Sequence, residues 1–217
     1  DLWPDFTIIK RMGSIGIPTG ITGVLLNAGG VGLMFFLGTV ENNAAAWAAY
    51  TICYTQVFNL ISWTAFGLRA SASTLMGQNL GAQQPDRARL AVYMAAGFGL
   101  VWASAIGLLY WFAPQVLLSL FDVTDPLVAS MSISLLQYLS LSGLVLALAL
   151  AFTGGLQGAG DTKTPMWIAF ATQIALMLGS CLLLKQLDML TAERIWMVIL
   201  ISHTARLALT YAAFHAG

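Results

Sequence analysis

Charged residues are sparse along the chain and fall in clusters. Between them the apolar positions run on in six stretches, roughly 15–38, 47–68, 90–112, 127–152, 166–184 and 195–214. Crossing a bilayer as a helix takes about 20 mostly apolar residues, and each stretch is of that order. Val40 to Asn43 separate the first two stretches, and Lys185 to Glu193 separate the last two. The pattern predicts an all-α, polytopic membrane protein, with residues 1–217 forming a single lobe of six transmembrane helices. Composition agrees, at 59% hydrophobic and 8% charged with a mean hydropathy of +0.81. A soluble domain carries roughly 25% charged residues, so this chain lacks the charge to cover a water-facing surface.

The placement of the few charges sets an expected orientation. Lys10 and Arg11 precede the first stretch, Arg87 and Arg89 follow the second, and Lys163 follows the fourth. The opposite loops hold Glu41, then Asp122 and Asp125, then Lys185, Asp188, Glu193 and Arg194. Five Lys/Arg on one side against two on the other make the first side, and both ends of the segment, cytoplasmic. Arg69, at the same end of the second helix, adds to that bias. The expected location is a plasma membrane, the inner membrane of a bacterium. Net charge is zero and no basic stripe follows any face, which argues against nucleic-acid binding. Cys53 and Cys181 both lie in apolar stretches and read as packing residues rather than a disulfide or a metal site. The chain opens on Asp1 without an initiator Met, which reads as a piece of a longer protein with sequence upstream.

Helical periodicity then places the polar side chains. In the first helix Gly13, Gly16, Gly20, Gly23, Asn27 and Gly30 share about a third of the circumference. Close packing against another helix is the expected use of that face, ahead of a substrate-facing one. Pro18 lies on the other side and should kink the helix or open a hydrogen bond. Asn27 at membrane depth needs a partner. The second helix aligns Gln56, Asn59 and Trp63, and the fourth aligns Ser130, Ser134 and Gln137. The fifth carries a lone Gln173, while His203, Arg206 and Thr210 share a stripe on the sixth, where Arg206 reads equally well as snorkelling to the cytoplasmic end. Uncharged polar groups on several helices point to a shared polar interior. Asn27, Gln56, Asn59, Trp63 and Gln137 are the candidate substrate-cavity residues, with Trp63 able to stack on an aromatic or cationic solute. No carboxylate falls inside a helical core. An HExxH pair, a GxSxG elbow and an intramembrane aspartate pair are all missing, and His203 and His215 make no metal site. The chain therefore reads as no enzyme, without catalytic residues, bound metal or cofactor.

Two inter-helix segments carry the specific signal. One runs Gly77-Gln78-Asn79-Leu80-Gly81-Ala82 and on to Pro85-Asp86-Arg87-Ala88; the other runs Gly154-Gly155-Leu156-Gln157-Gly158-Ala159-Gly160-Asp161-Thr162-Lys163-Thr164-Pro165. Glycine at a helix end and Asx or Thr caps make tight joints, and Pro165 suits a first helical turn. The residues assigned hinge and turn roles are Gly77, Gln78, Gly81, Gly158, Gly160, Asp161 and Pro165. Neither segment is a phosphate loop, because Lys163 follows Asp161-Thr162 rather than a glycine.

In these residues, and in Gly16-Ile17-Pro18 at the start of the first helix, the sequence resembles the multidrug and toxic-compound extrusion (MATE) family. The first segment is similar to that family's loop between helices eight and nine, the second to its loop between ten and eleven. The resemblance implies the carboxy-terminal lobe of a twelve-helix fold in which two six-helix bundles rock about a central cavity. It further implies a cation-coupled antiporter that exports drugs or other amphipathic small molecules, with the amino-terminal lobe and the lipid bilayer as partners. Some branches carry a coupling glutamate soon after the proline and an aspartate in the fourth helix. Here Leu25-Leu26-Asn27 follow Pro18, and the fourth helix offers Gln137 and Ser140. A coupling Na⁺ or H⁺ site is accordingly expected in the other lobe. The alternative within the same superfamily is a lipid-linked oligosaccharide flippase, for which only Arg69 and Arg206 could supply cavity basicity.

Overall fold

The computed structural model describes residues 5–216, apart from the Arg11 side chain, so Asp1 lies outside the described residues. Helix α1 spans Phe6–Leu37 and starts on Asp5, whose carboxylate accepts the Thr7 amide at 2.8 Å. The next rod is compound: α2 (Asn43–Tyr50), a π-helical segment (Thr51–Val57) and α3 (Asn59–Gly81). There follow α4 (Pro85–Phe112), a short α5 (Pro114–Ser119) and α6 (Pro126–Gly158). A second compound rod joins α7 (Lys163–Ala169), a π segment (Phe170–Leu178) and α8 (Gly179–Gln186), and α9 covers Ala192–Ala216. Pro85, Pro114 and Pro126 open their helices, where a missing N–H costs nothing.

The helices overrun the apolar stretches that announce them. Charged and amide residues end an apolar stretch, but the backbone ladder continues through them into the headgroup region. Lys10 and Arg11 therefore sit within α1 rather than ahead of it. Likewise Gly77, Gln78 and Gly81 belong to α3, and Gly154 to Gly158 belong to α6, so the joints shrink to residues 82–84 and 159–162. Among the described residues five rods are long and apolar enough to cross a bilayer: α1, α4, α6, α7 to α8, and α9. The rod from 43 to 81 is as long, but it carries Gln56, Asn59, Gln78 and Asn79 and is interrupted by its π segment.

Helix α6 is the axis of the bundle. Its apolar window is 67% buried, against 28% for α1, and it packs on α3, α4 and α9. Glycine permits the closest of these approaches. A Cβ on Gly154 would overlap the Arg69 carbonyl oxygen, and one on Gly158 would overlap that of Ser73. The α3 and α6 backbones thus touch along a small-residue seam. On α1 the expected close packing is made at Gly30, where an added Cβ would lie 3.6 Å from the Tyr50 hydroxyl, but not further up the same face. Added Cβ atoms on Gly16, Gly20 and Gly23 would meet nothing within 4 Å. α1 runs through Pro18 unbroken, and Thr22 returns its hydroxyl to the Pro18 carbonyl at 2.8 Å. Away from these contacts the outer surface is apolar, with Phe98, Val101 and Phe112 of α4 largely exposed, as a lipid-facing helix requires.

Candidate functional site

The two π segments shape the interior. A π turn widens the helix and releases a carbonyl from the normal ladder, which in an apolar interior needs another donor. Both segments find one on a neighbouring helix. Tyr110 of α4 donates its hydroxyl to the Val57 carbonyl at 2.7 Å, and Ser202 of α9 donates to the Thr172 carbonyl at 2.8 Å. Ser202 in turn accepts the Gln173 side-chain amide at 3.1 Å, so the lone amide of the fifth rod is spent on α9.

A ladder of rings climbs beside the first π segment. Tyr50 and Tyr54 stack at 4.8 Å between centroids, and Tyr54 stacks on Phe58 at 5.6 Å. Residues of α9 extend it at both ends, Trp196 against Tyr50 and His203 against Phe58, each at 6.3 Å. Spacing of i, i+4 and i+8 on one rod meets i and i+7 on the other, so both helices present one face to the stack.

Two cavities flank that ladder. The inner one, of about 380 Å³, lies between α1, the 43–81 rod and α9. Its polar wall comprises Asn27, Asn59, Gln173, His203 and Arg206, and its apolar wall includes Met34, Phe58 and Leu146. The other, of about 790 Å³, is lined by Glu41, Ser130, Ser134, Lys185, Asp188 and Glu193, with Trp196 at its base.

The five residues expected at the cavity divide. Asn27 and Asn59 line the inner cavity, whereas Gln56, Trp63 and Gln137 do not. Trp63 is 72% exposed on the outside of the rod. The π segment shifts the angular register between Gln56 and Asn59, so these two positions, aligned by a 100° wheel, part company. Asn27 donates to the Gly23 carbonyl of its own helix at 2.9 Å, and Asn59 to that of Thr55 at 2.6 Å. Ser130 and Ser134 belong to the larger cavity. Arg206 does not snorkel. It is 3% exposed and faces the inner cavity, and His203 is buried beside it. The shared stripe of His203, Arg206 and Thr210 was the sequence signal for this wall. Cys53 and Cys181 are fully buried free thiols.

Of the residues assigned hinge and turn roles, Gly160 and Asp161 lie in a joint, Gly77, Gln78, Gly81 and Gly158 lie in the helices that lead into the joints, and the two joints share one design. Gln84 N–H reaches the Asn79 carbonyl at 2.8 Å, and Asp161 N–H reaches that of Leu156 at 2.9 Å, each closing a six-residue cap. The left-handed residue of the cap is Gln83 (φ 58°) in the first and Gly160 (φ 92°) in the second. The Asp161 carboxylate accepts the Thr164 amide at 3.0 Å, and Pro165 occupies the first turn of α7.

These features define an all-helical, multi-pass membrane protein with a polar cavity on one flank of its bundle. The MatE family profile matches residues 18–182, and the chain belongs to that family. A probable multidrug resistance protein NorM of Thermotoga maritima is 26% identical over 167 residues, covering 77% of this chain and 35% of that protein. The multidrug resistance protein PmpM of Pseudomonas aeruginosa is 27% identical over 166 residues, covering 76% of this chain and 34% of its own length. This chain thus spans about a third of the curated relatives it matches. Among solved structures, an outward-facing multidrug resistance MATE transporter superposes with TM-score 0.88 at 16% identity, over 100% of this chain and 48% of that one. A eukaryotic MATE transporter superposes with TM-score 0.86 at 23% identity, over 99% of this chain and 48% of that one.

Proposed function

We propose that the chain is the carboxy-terminal lobe of a cation-coupled antiporter that exports amphipathic small molecules by alternating access. The inner cavity carries this reading. It is a polar hollow built of side chains from α1, the 43–81 rod and α9, and it opens on the flank where Gly16, Gly20 and Gly23 of α1 have no partner. A second six-helix lobe across that flank would complete both the cavity and the glycine packing, and the whole chain superposes on about half of each solved transporter. Both ends would be cytoplasmic and the membrane a plasma membrane, from the distribution of Lys and Arg. Every Asp and Glu lies at a helix end or in a joint, so the Na⁺ or H⁺ site is assigned to the other lobe.

The test is efflux of ethidium from cells carrying the full-length gene, with the Na⁺ and H⁺ gradients collapsed separately. Loss of export with one gradient is expected. Export that survives collapse of both overturns the coupling. A flippase for lipid-linked oligosaccharides is the second reading, favoured by the placement of Arg206 on the cavity wall, and translocation of a lipid-linked precursor without drug export would establish it.

A further inference from the structure

Arg206 is a buried cation without a counter-ion. It is 3% exposed, faces the inner cavity, and makes no ion pair among the described residues. Among the described residues the cavity wall contains no Asp or Glu; the acids gather at the larger cavity, in Glu41, Asp188 and Glu193. The neighbouring amides do not neutralise it either. Asn27 and Asn59 donate to their own helices, Gln173 donates to Ser202, and the Asn59 carbonyl oxygen already accepts from Ser62 at 3.2 Å. Among the described residues the Arg206 guanidinium donates no hydrogen bond, so its planar fork of donors is free, the arrangement that matches a carboxylate with two parallel hydrogen bonds.

The surroundings add to the positive potential. Arg69 brings a second cation to this region, its guanidinium 5.4 Å from the ring centre of Phe66, which lines the cavity. Tyr54 and His203 line the cavity with Arg206, and His203 Nδ1 is buried without a partner. Beside the hydroxyls of Thr55 and Ser62, the wall has an apolar part made by Leu26, Val31, Met34, Phe58 and Leu146. A cavity with one uncompensated cation, spare donors and an apolar body is built for an amphiphile with a negative head.

Resting on the transporter reading above, we propose that the inner cavity binds the carboxylate of an amphipathic organic acid, with Arg206 as its counter-ion. This lobe then selects for a negative group on the solute, and a purely cationic solute gains nothing from it.

The test uses the full-length transporter in nanodiscs of zwitterionic lipid and three probes with one pyrene body: pyrenebutyrate, its methyl ester, and a quaternary ammonium of the same length. Binding is read from pyrene fluorescence. Wild type should hold the carboxylate roughly tenfold or more tighter than the ester, the worth of a charge-assisted hydrogen bond. Arg206→Gln should erase that preference while leaving the ammonium unchanged, and Arg206→Lys should keep part of it. No preference in wild type overturns the proposal without recourse to any variant. Equal weakening of all three probes by Arg206→Gln also overturns it, since the arginine would then be a structural tether, for instance to an acid of the other lobe. Displacement of pyrenebutyrate on adding phosphatidylglycerol would assign the site to a lipid headgroup and overturn it too. A preserved carboxylate preference in a protein that exports nothing under either gradient would refute the transport reading and leave this one standing.

Discussion

The Tyr110 hydroxyl donates to the Val57 carbonyl at 2.7 Å, joining α4 to the π segment it faces. Tyr110 is fully buried, and the π turn is what leaves Val57 in need of a donor. Ser202 serves the second π segment in the same way. Each irregular stretch of helix is therefore fixed by one hydroxyl from a neighbour, and the wide turns are parts of the packing rather than flaws in it.

Tyr110→Phe keeps the ring and strands the carbonyl. A buried acceptor left unpaired costs about 1–3 kcal/mol. For a chain of this size that is a fall of several degrees in apparent Tm, at about 2–4 °C per kcal/mol. The measurement is thermal unfolding of the purified full-length protein in detergent. An unchanged Tm would show that Val57 does not depend on the hydroxyl.

The two glycine-rich joints differ in the residue that takes the left-handed position. Gln83 bears the strain that Gly160 avoids. Gln83→Gly should raise stability by about 0.5–1 kcal/mol, and Gly160→Ala should lower it by about 1–2 kcal/mol. The opposite signs in paired melting curves check this cap geometry. A loss in both would mean that the Gln83 side chain matters more than its backbone.

Much of this architecture is legible from residue order. Apolar length reveals the rods, proline marks where α4, α5 and α6 begin, and charge clusters mark the joints. Helix ends are less legible, because amphiphilic residues such as Gln78 and Asn79 continue a helix that hydropathy has already closed. The cavity is half legible for a related reason. Asn27 and Asn59 reach the cavity as expected, but no residue pattern announces the π turn that parts Gln56 from Asn59. Arg206 shows a limit of another kind. A charge between three and four turns from the nearest acid of its own helix reads equally well as a snorkel, and only the fold shows that it is enclosed.

Asn59 and Trp63 separate a cavity role from a lipid-facing one. Asn59→Ala removes a polar group from the inner wall and frees Ser62 from its bond at 3.2 Å. A several-fold fall in transport at unchanged expression is expected, of the order of one lost hydrogen bond. Trp63→Leu replaces one apolar, outward-facing side chain by another and should leave export within about twofold of wild type. Efflux rates normalised to membrane protein decide between them, and equal losses would place Trp63 on the transport path.

The glycines of α1 and α6 look alike in sequence and differ in surroundings. Gly158→Ala places a methyl group against the Ser73 carbonyl and Met76, and the two backbones can yield only by moving apart. Overpacking of that kind costs about 1–3 kcal/mol or more, so reduced expression and a lower Tm are expected. Gly20→Ala meets nothing within the chain and removes a helix-weakening residue. Taken alone, the lobe would gain up to about 1 kcal/mol. In the full-length protein the same change becomes a probe of what lies across the open flank. If a second lobe packs there, Gly20→Ala should slow export while leaving the melting of this bundle intact. Export and stability both unchanged would mean that the α1 glycine face meets lipid or water throughout the transport cycle.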